Sequence, residues 1–413
     1  MAKKKERTEL KKTNYVSTFA LTGSVRLNDN AFALDQKSEK SDWMYSRVNL
    51  PIYCGEKHGL VYTQCMGGYS LSGNSKIYAH GKREDGSDDY STRLEISFED
   101  RKDPEIVKQV GRMALLNGGL QKDTKGKTVY ENFISGYDLV QYMSDHLQND
   151  MIVHVRGNIK YNFFNENVIP NYEITSIALS NIEDESEFFA RFTQSMLIDE
   201  NSKGTVDKET GELDVTGYVL EYTKTYDGID ITTKDGKGQI VPLPYRFVYR
   251  ISDAMKKNPD MAKKAISKLF GIKKKGTVNQ ISVEGDLEFT GATVSMTVDD
   301  LTDDIKDLIA IGLMSEEDAL ATCATGGSRE RKMVIVRPRI KLANNDDGTT
   351  TPVVQIFEEV YDEEDLDYFR NLKAEAEEES EKGDGDFDEA MNPPEVKDEE
   401  KGEEGEYDWL NDL

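Results

Sequence analysis

The stretch Met151–Phe164 reads MIVHVRGNIKYNFF, and its residues alternate. Val153, Val155, Gly157, Ile159, Tyr161 and Phe163 fall on one side of an extended chain. His154, Arg156, Asn158, Lys160 and Asn162 fall on the other. A period of two sustained over this length predicts a half-buried β-strand. The outward side is cationic and rich in hydrogen-bond donors. Gly157 has no side chain to pack, which predicts a bend or a close backbone approach. A second alternating run, NYEITSIAL over Asn171–Leu179, follows the turn-like Asn165-Glu166-Asn167. Together they predict a hairpin with one wet, basic face.

Working back from the hairpin, Tyr137–Leu147 places Leu139, Val140, Met143 and Leu147 at helical spacing, and Pro104–Leu116 is a second expected helix. Upstream of these lie four runs of strand character. Tyr15–Leu27 alternates, with Phe19, Leu21, Gly23, Val25 and Leu27 on one side and Thr18, Thr22, Ser24 and Arg26 on the other. A polar loop is expected from there to Asp42. In Trp43–Leu50, Met44, Val48 and Leu50 read as core, while Trp43, Tyr45, Arg47 and Asn49 share the other face. Large aromatic groups on a face that should be wet need a reason. Stacking on nucleic-acid bases is one, and packing beneath a long loop is the other. Leu60–Tyr69, carrying Tyr62, and Thr92–Phe98, carrying an outward Arg93, complete the set, with a basic, aromatic loop over Tyr78–Arg83 between them. Strands, a helix and then a two-strand hairpin is the order of a five-stranded Greek-key OB barrel.

Downstream, Ile182–Glu187 is a short acidic link. Strands are expected at Phe189–Ile198, Gly217–Tyr226 and Ile240–Ile251, then a lysine-rich helix over Ala254–Phe270. The run Val283-Glu284-Gly285-Asp286-Leu287-Glu288-Phe289 repeats Val155-Arg156-Gly157-Asn158-Ile159-Lys160-Tyr161 in pattern: Val, charged, Gly, polar, aliphatic, charged, aromatic. Both follow a helix, so a second OB-like unit is expected. Its outward positions are acidic, and this hairpin should repel phosphate. Helices are expected within Leu301–Ala321. Arg331–Leu342 is expected to be a strand with Arg337, Arg339 and Lys341 on one side and Val334, Val336, Ile340 and Leu342 on the other. Val353–Phe357 should pair with it, and a short helix should run on to Leu372.

The fold class is therefore mainly β with α insertions. The expected divisions are a mobile basic arm at 1–13, an OB domain at 14–183, a second OB-like domain at 184–357 and an acidic tail at 358–413. The arm carries six Lys/Arg against two Glu. Between Glu358 and Leu413 lie 25 acidic and 5 basic residues, −20 of the chain's net −26, which leaves −6 for residues 1–357. The body is nearly balanced. The tail is Gly-spaced and poor in apolar residues, a composition that predicts disorder, until it ends in Tyr407-Asp408-Trp409-Leu410-Asn411-Asp412-Leu413. No apolar run of about 18 residues predicts a membrane span. Three cysteines do not make a disulfide framework, and a cytoplasmic protein is expected.

A basic, aromatic barrel followed by an acidic tail tipped with apolar residues resembles the single-stranded DNA-binding proteins of bacteria and tailed phages. VHVRGNIKYNFF with NYEITSIAL is similar to that family's late hairpin, and DWLNDL to its partner-binding tip. Two OB-like units at this length look more like a phage replication protein than a short bacterial subunit. The resemblance implies a protein that coats exposed DNA strands during replication and recombination, recruiting replisome enzymes through its tail. The expected DNA-binding residues are Trp43, Tyr45, Arg47, Tyr62, Arg93, His154, Arg156 and Lys160. Lys263, Lys264, Arg337 and Arg339 are secondary candidates for DNA or tail contact. Tyr407, Asp408, Trp409, Leu410 and Leu413 are the candidates for partner binding.

The rival classes find less support. GxxxxGK[ST], HExxH, GxSxG and CxxC patterns are all missing from the sequence, and no carboxylate pair stands out, so no enzyme is expected. Cys54, His58, Cys65 and His80 are spaced unlike a tight structural zinc site; ordinary strand cysteines and surface histidines are the competing reading, and no cofactor is assigned. The main alternative is a virion structural or assembly protein without a nucleic-acid role.

Overall fold

The structure is a computed structural model that describes residues 8–164, 167–207, 210–226, 228–290, 306, 309, 330–344 and 349–372. The helices expected within Leu301–Ala321 (apart from positions 306 and 309), the first seven residues of the basic arm, and the tail tip with Tyr407, Asp408, Trp409, Leu410 and Leu413 lie outside them. The described residues up to Arg370 form one compact unit.

In chain order come β1 Ser17–Val25, β2 Phe32–Lys37, β3 Trp43–Tyr53, β4 Leu60–Ser70, β5 Lys76–Lys82, β6 Asp88–Ser97, α1 Pro104–Gln109, β7 Leu116–Lys122, β8 Thr128–Phe133, α2 Gly136–His146, β9 Ile152–Phe164 and β10 Asn167–Leu179. Then follow β11 Phe189–Ile198, β12 Lys203–Val206, β13 Glu212–Thr223, β14 Thr225–Tyr226, β15 Ile229–Asp230, β16 Gln239–Arg250, α3 Asp253–Lys256, α4 Pro259–Phe270, β17 Thr277–Thr290, β18 Glu330–Pro338, β19 Ile340–Asn344, β20 Thr350–Val354 and β21 Ile356–Asp362. A helix over 363–372 follows.

Five of these strands close on themselves. β1 pairs β3, β3 pairs β4, β4 pairs β10, β10 pairs β9, and β9 returns to β1. All are antiparallel except β4 with β10. With α2 between its third and fourth strands, this is the order of an OB Greek-key barrel. Phe19, Leu21, Val48, Leu50, Val61, Val153, Val155, Ile159 and Ile177 fill its interior. Everything between β4 and α2 is an insertion. Its small core holds Ile96, Val110 and Ile134, packed with Ile77, Leu94 and Val107. Arg101 ties it to the barrel, donating to the Asp138 carboxylate of α2 at 2.7 and 3.2 Å.

The strands β11, β13, β16, β18 and β17 close in the same cyclic order. Again the third and fifth, β16 and β18, are the parallel pair. Helices α3 and α4 again fall between the third and fourth. The first strands of the two sets, β1 and β11, pair antiparallel, so one sheet runs through both. Phe19 lies opposite Phe192. On the far side of each phenylalanine sits a glycine, Gly157 opposite Phe19 and Gly285 opposite Phe192. A Cβ on Gly157 would stand 1.8 Å from the Glu173 carbonyl oxygen and 2.8 Å from the Phe19 ring; on Gly285 it would stand 2.1 Å from the Val334 oxygen and 2.6 Å from the Phe192 ring. Each glycine sits beside a register shift in its strand pair. The close approach expected at Gly157 is therefore present, and it occurs twice.

Several expectations need correction. Residues 8–13 of the arm are docked: Leu10 is buried, the Thr8 amide donates to Asp365, and Lys12 pairs with Glu221 at 2.9 Å. The loop before Asp42 contains β2, and Tyr78–Arg83 lies largely within β5. The expected wet face of β1 is covered at Thr22 and Ser24, which are buried, and stays half-open only at Thr18 and Ala20. The Pro104–Leu116 helix stops at Gln109, and Leu116 opens β7. The lysine helix is broken by Asn258-Pro259, where Asn258 caps α4 and Pro259 supplies no N–H. Arg331–Leu342 is two strands broken at Arg339. β19 leaves the main sheet to pair with β20, so Ile340 and Leu342 are exposed rather than core, and Val336 is exposed at the register shift between β17 and β18.

Candidate nucleic-acid interface

The outward face of β3 carries Trp43, Tyr45, Arg47 and Asn49, because Met44, Ser46, Val48 and Leu50 turn inward. Across the strand pair Tyr45 meets Gly68, Arg47 meets Met66, Asn49 meets Gln64 and Pro51 meets Tyr62. Directly paired residues share a face, so Tyr62 and Met66 of β4 join the row. Trp43 is 39% exposed and lies against Gly68, where a Cβ would stand 2.7 Å from the indole nitrogen. The glycine lets the ring lie on the sheet. Tyr62 and Met66 are half or more exposed. Arg47 is exposed and has no ion-pair partner among the described residues. A groove of about 400 Å³ runs from Arg47 and Asn49 past Gln64 and Met66 to Glu173, Thr175 and Asn158.

On β9, Arg156, Asn158 and Lys160 are exposed and His154 half-buried. The Arg156 Nε donates to His154 Nε2 at 2.8 Å. That nitrogen must accept, so Nδ1 carries the proton and donates to Thr22 Oγ1 at 2.9 Å. Burial and the Arg156 charge hold the His154 pKa below its usual value, which keeps the ring neutral and fit to orient the guanidinium. The aromatic row of β3 and the cations of β9 are not on neighbouring strands, because the barrel order places β10 between β4 and β9. The groove joins them instead. In it, Glu173 is half-buried, and burial raises its pKa against the opposing pull of Lys160. The C-terminal part of β9 is not wet on its inner side. Tyr161 donates to Gln194 of β11 at 3.0 Å, and its amide donates to Glu221 of β13 at 3.1 Å.

The other candidates scatter. Arg93 lies on the β5–β6 hairpin, its guanidinium 4.3 Å from the exposed Tyr78 ring centre. Lys263 and Lys264 line a separate cleft with Lys268 and Lys273. Arg337 pairs with Glu284 at 2.7 Å, and the amide of Arg339, beside the β19–β20 ribbon, donates to Ser282. The acidic positions expected to repel phosphate are all paired: Glu284 to Arg337, Asp286 to Lys57 at 2.6 Å, and Glu288 to Arg250 at 2.8 Å. Glu288 is moreover buried. Cys54 and Cys65 sit apart in the core, each thiol donating to a backbone carbonyl and each pushed up to about 12 by burial. His58 donates from Nδ1 to the Leu287 carbonyl at 2.7 Å. Among the described residues no group of three or more His, Cys, Asp or Glu is placed to hold a metal ion.

Sequence reasoning passed over Arg191 on β11. It is exposed, and its guanidinium lies 4.7 Å from the Phe189 ring centre. It also passed over the exposed Tyr90 and Tyr130 of the insertion. No helix among the described residues is long and apolar enough to cross a membrane.

No curated protein matches the chain in sequence. Two solved structures of the single-stranded DNA-binding protein from Thermus aquaticus align with it. A deletion mutant does so at 8% identity and TM-score 0.30, over 80% of this chain and 98% of that one. The wild-type protein does so at 8% identity and TM-score 0.26, over 80% and 97%. The model of the YorF family matches residues 76–284, just over half of the sequence and the span from β5 into β17, and the chain therefore belongs to the YorF family.

Proposed function

We propose that this chain binds single-stranded DNA without reading its sequence, through two OB-like units, residues 14–183 and 184–357, that share a sheet. The observation that carries the reading is the outward row Trp43, Tyr45 and Arg47 beside Tyr62 and Met66. In a barrel of this strand order, the second and third strands form the ligand face. Sequence-tolerant binding needs π faces for bases and cations for phosphates. The row supplies both, and the groove leads on to Arg156 and Lys160. The first unit is the stronger binder, because the acidic Glu284 stands where the first has Arg156. No catalysis is assigned. The chain coats DNA in replication or recombination, in a host cytoplasm if it is viral, and its acidic tail recruits partner proteins through Trp409 and Leu410.

Titration of oligothymidylate into the full chain tests this. Tight binding with a steep salt dependence is expected, and Trp43→Ala weakens it by about 1–3 kcal/mol while the fold is kept. Salt-insensitive or absent binding would leave the chain in the other class its sequence allows, a virion structural or assembly protein.

A further inference from the structure

The seam between the two strand sets carries a row of its own. β9, β1 and β11 lie side by side, and Arg156, Ala20 and Arg191 stand directly opposite one another across them. Directly paired residues project from the same face, so both guanidinium groups rise from one surface with only the Ala20 methyl between them. Strands lie about 4.8 Å apart, which sets the two arginine Cα atoms about 10 Å apart.

Each arginine is steered by a ring in the next row, where His154, Thr22 and Phe189 stand opposite one another. His154 accepts from Arg156, and Phe189 lies beneath Arg191. Neither arginine has a carboxylate partner among the described residues. The nearest acid by register is Asp286, opposite Arg191, and its carboxylate is taken by Lys57 at 2.6 Å. Two exposed guanidinium groups left without anions, held in place and parted by a small residue, leave room for an anion that brings its own acceptors.

We propose that this seam is a phosphate-binding surface, built by Arg156 and Arg191 on either side of Ala20. Its ligand is a chain of phosphodiesters, and it carries a single strand from the groove of the first set onto the second. The last step rests on the DNA-binding reading above; the phosphate site itself does not. Asn158, which ends the groove, is the next outward residue to Arg156 on β9, so groove and seam are continuous.

The test uses the full chain with two probes, inorganic polyphosphate and a long oligothymidylate, and three variants: Arg191→Gln, Arg156→Gln with Arg191→Gln, and Arg191→Lys. Arg191 is exposed and has no ion pair among the described residues, so its replacement should leave the thermal midpoint unchanged, and that is measured first. Should the double variant unfold, Arg191→Gln alone decides. The expected result is weaker polyphosphate binding in both Gln variants and recovery in Arg191→Lys. For the oligonucleotide the salt slope falls by about 0.7 for each arginine removed. If the oligonucleotide binds wild type and Gln variants alike, the seam is overturned and the DNA-binding reading stands. If wild type binds polyphosphate through Arg191 but ignores the oligonucleotide, the phosphate site stands and the DNA reading falls. If wild type binds neither probe, both fall.

Discussion

Glu173 is an acid in a groove proposed to hold phosphates. Burial raises its pKa, and Lys160 only partly offsets that. Glu173→Gln should therefore tighten oligothymidylate binding at neutral pH, several-fold at low salt. Wild type should approach the variant as pH falls and the carboxyl takes up a proton; a gap that stays constant with pH would count against this. The same shift makes the folded state the better proton binder at this site, so its contribution to stability rises on acidification. His58 and His154 work the other way. Burial depresses both, so the stability they contribute is full above the ordinary histidine value near 6.5 and is lost as pH falls through their folded values. The cysteines offer a simpler check. Cys54 and Cys65 should resist alkylation at pH 8 in the native protein and react only on unfolding, read by peptide mass. Rapid native labelling of either would mean that the core around it opens.

Among the elements, β9 was the most legible, since a period of two with a glycine at its centre states a half-buried strand and its bend. The alternation of β3 likewise told which side of Trp43 faces out. Others misled for physical reasons. Thr22 and Ser24 are small polar groups that a neighbouring strand can cover, so that side of β1 reads as wet although it is buried at both. Ile340 and Leu342 alternate like core residues, yet β19 lies beyond the break at Arg339 and among the described residues pairs only with β20. Arg191 was missed because its partner in the row is on β9, and register between distant strands is not written in either one. At this scale the two glycines make the sharpest prediction. Gly157→Ala and Gly285→Ala should each cost about 1–3 kcal/mol or more, since the new methyl meets a backbone oxygen that cannot move aside. Urea denaturation reads this directly. Gly73→Ala is a fitting control, where no atom lies within 4 Å and only the positive φ is strained.

The whole body should unfold as one. β1 and β11 are neighbours in the sheet, Tyr161 bonds across to Gln194 and Glu221, and the β3–β4 turn docks on β17 through His58 and Lys57. Cutting after residue 183 would bare the edge of β1 and strip Tyr161 of its partners. Residues 1–183 alone should therefore be less stable than the same residues in the full chain and prone to associate. Calorimetry should show one transition for residues 1–372, and two well-separated transitions would overturn this. Removing residues 374–413 takes away most of an excess of 20 negative charges, so oligothymidylate binding should tighten, most at low salt where screening is weak.

The antiparallel pairing of β1 with β11 sets Phe19 against its own counterpart Phe192, with Gly157 and Gly285 beyond. Equivalent residues that face each other mark a local two-fold axis perpendicular to the sheet. A nucleic-acid strand has a direction, 5′ to 3′, and a two-fold axis reverses it. A strand running straight across the seam would be met by the first set in one polarity and by the second in the opposite one. To be held in the same polarity by both, it must reverse its direction between the two contacts, and a linker of abasic nucleotides placed at that reversal should bind no worse than continuous DNA.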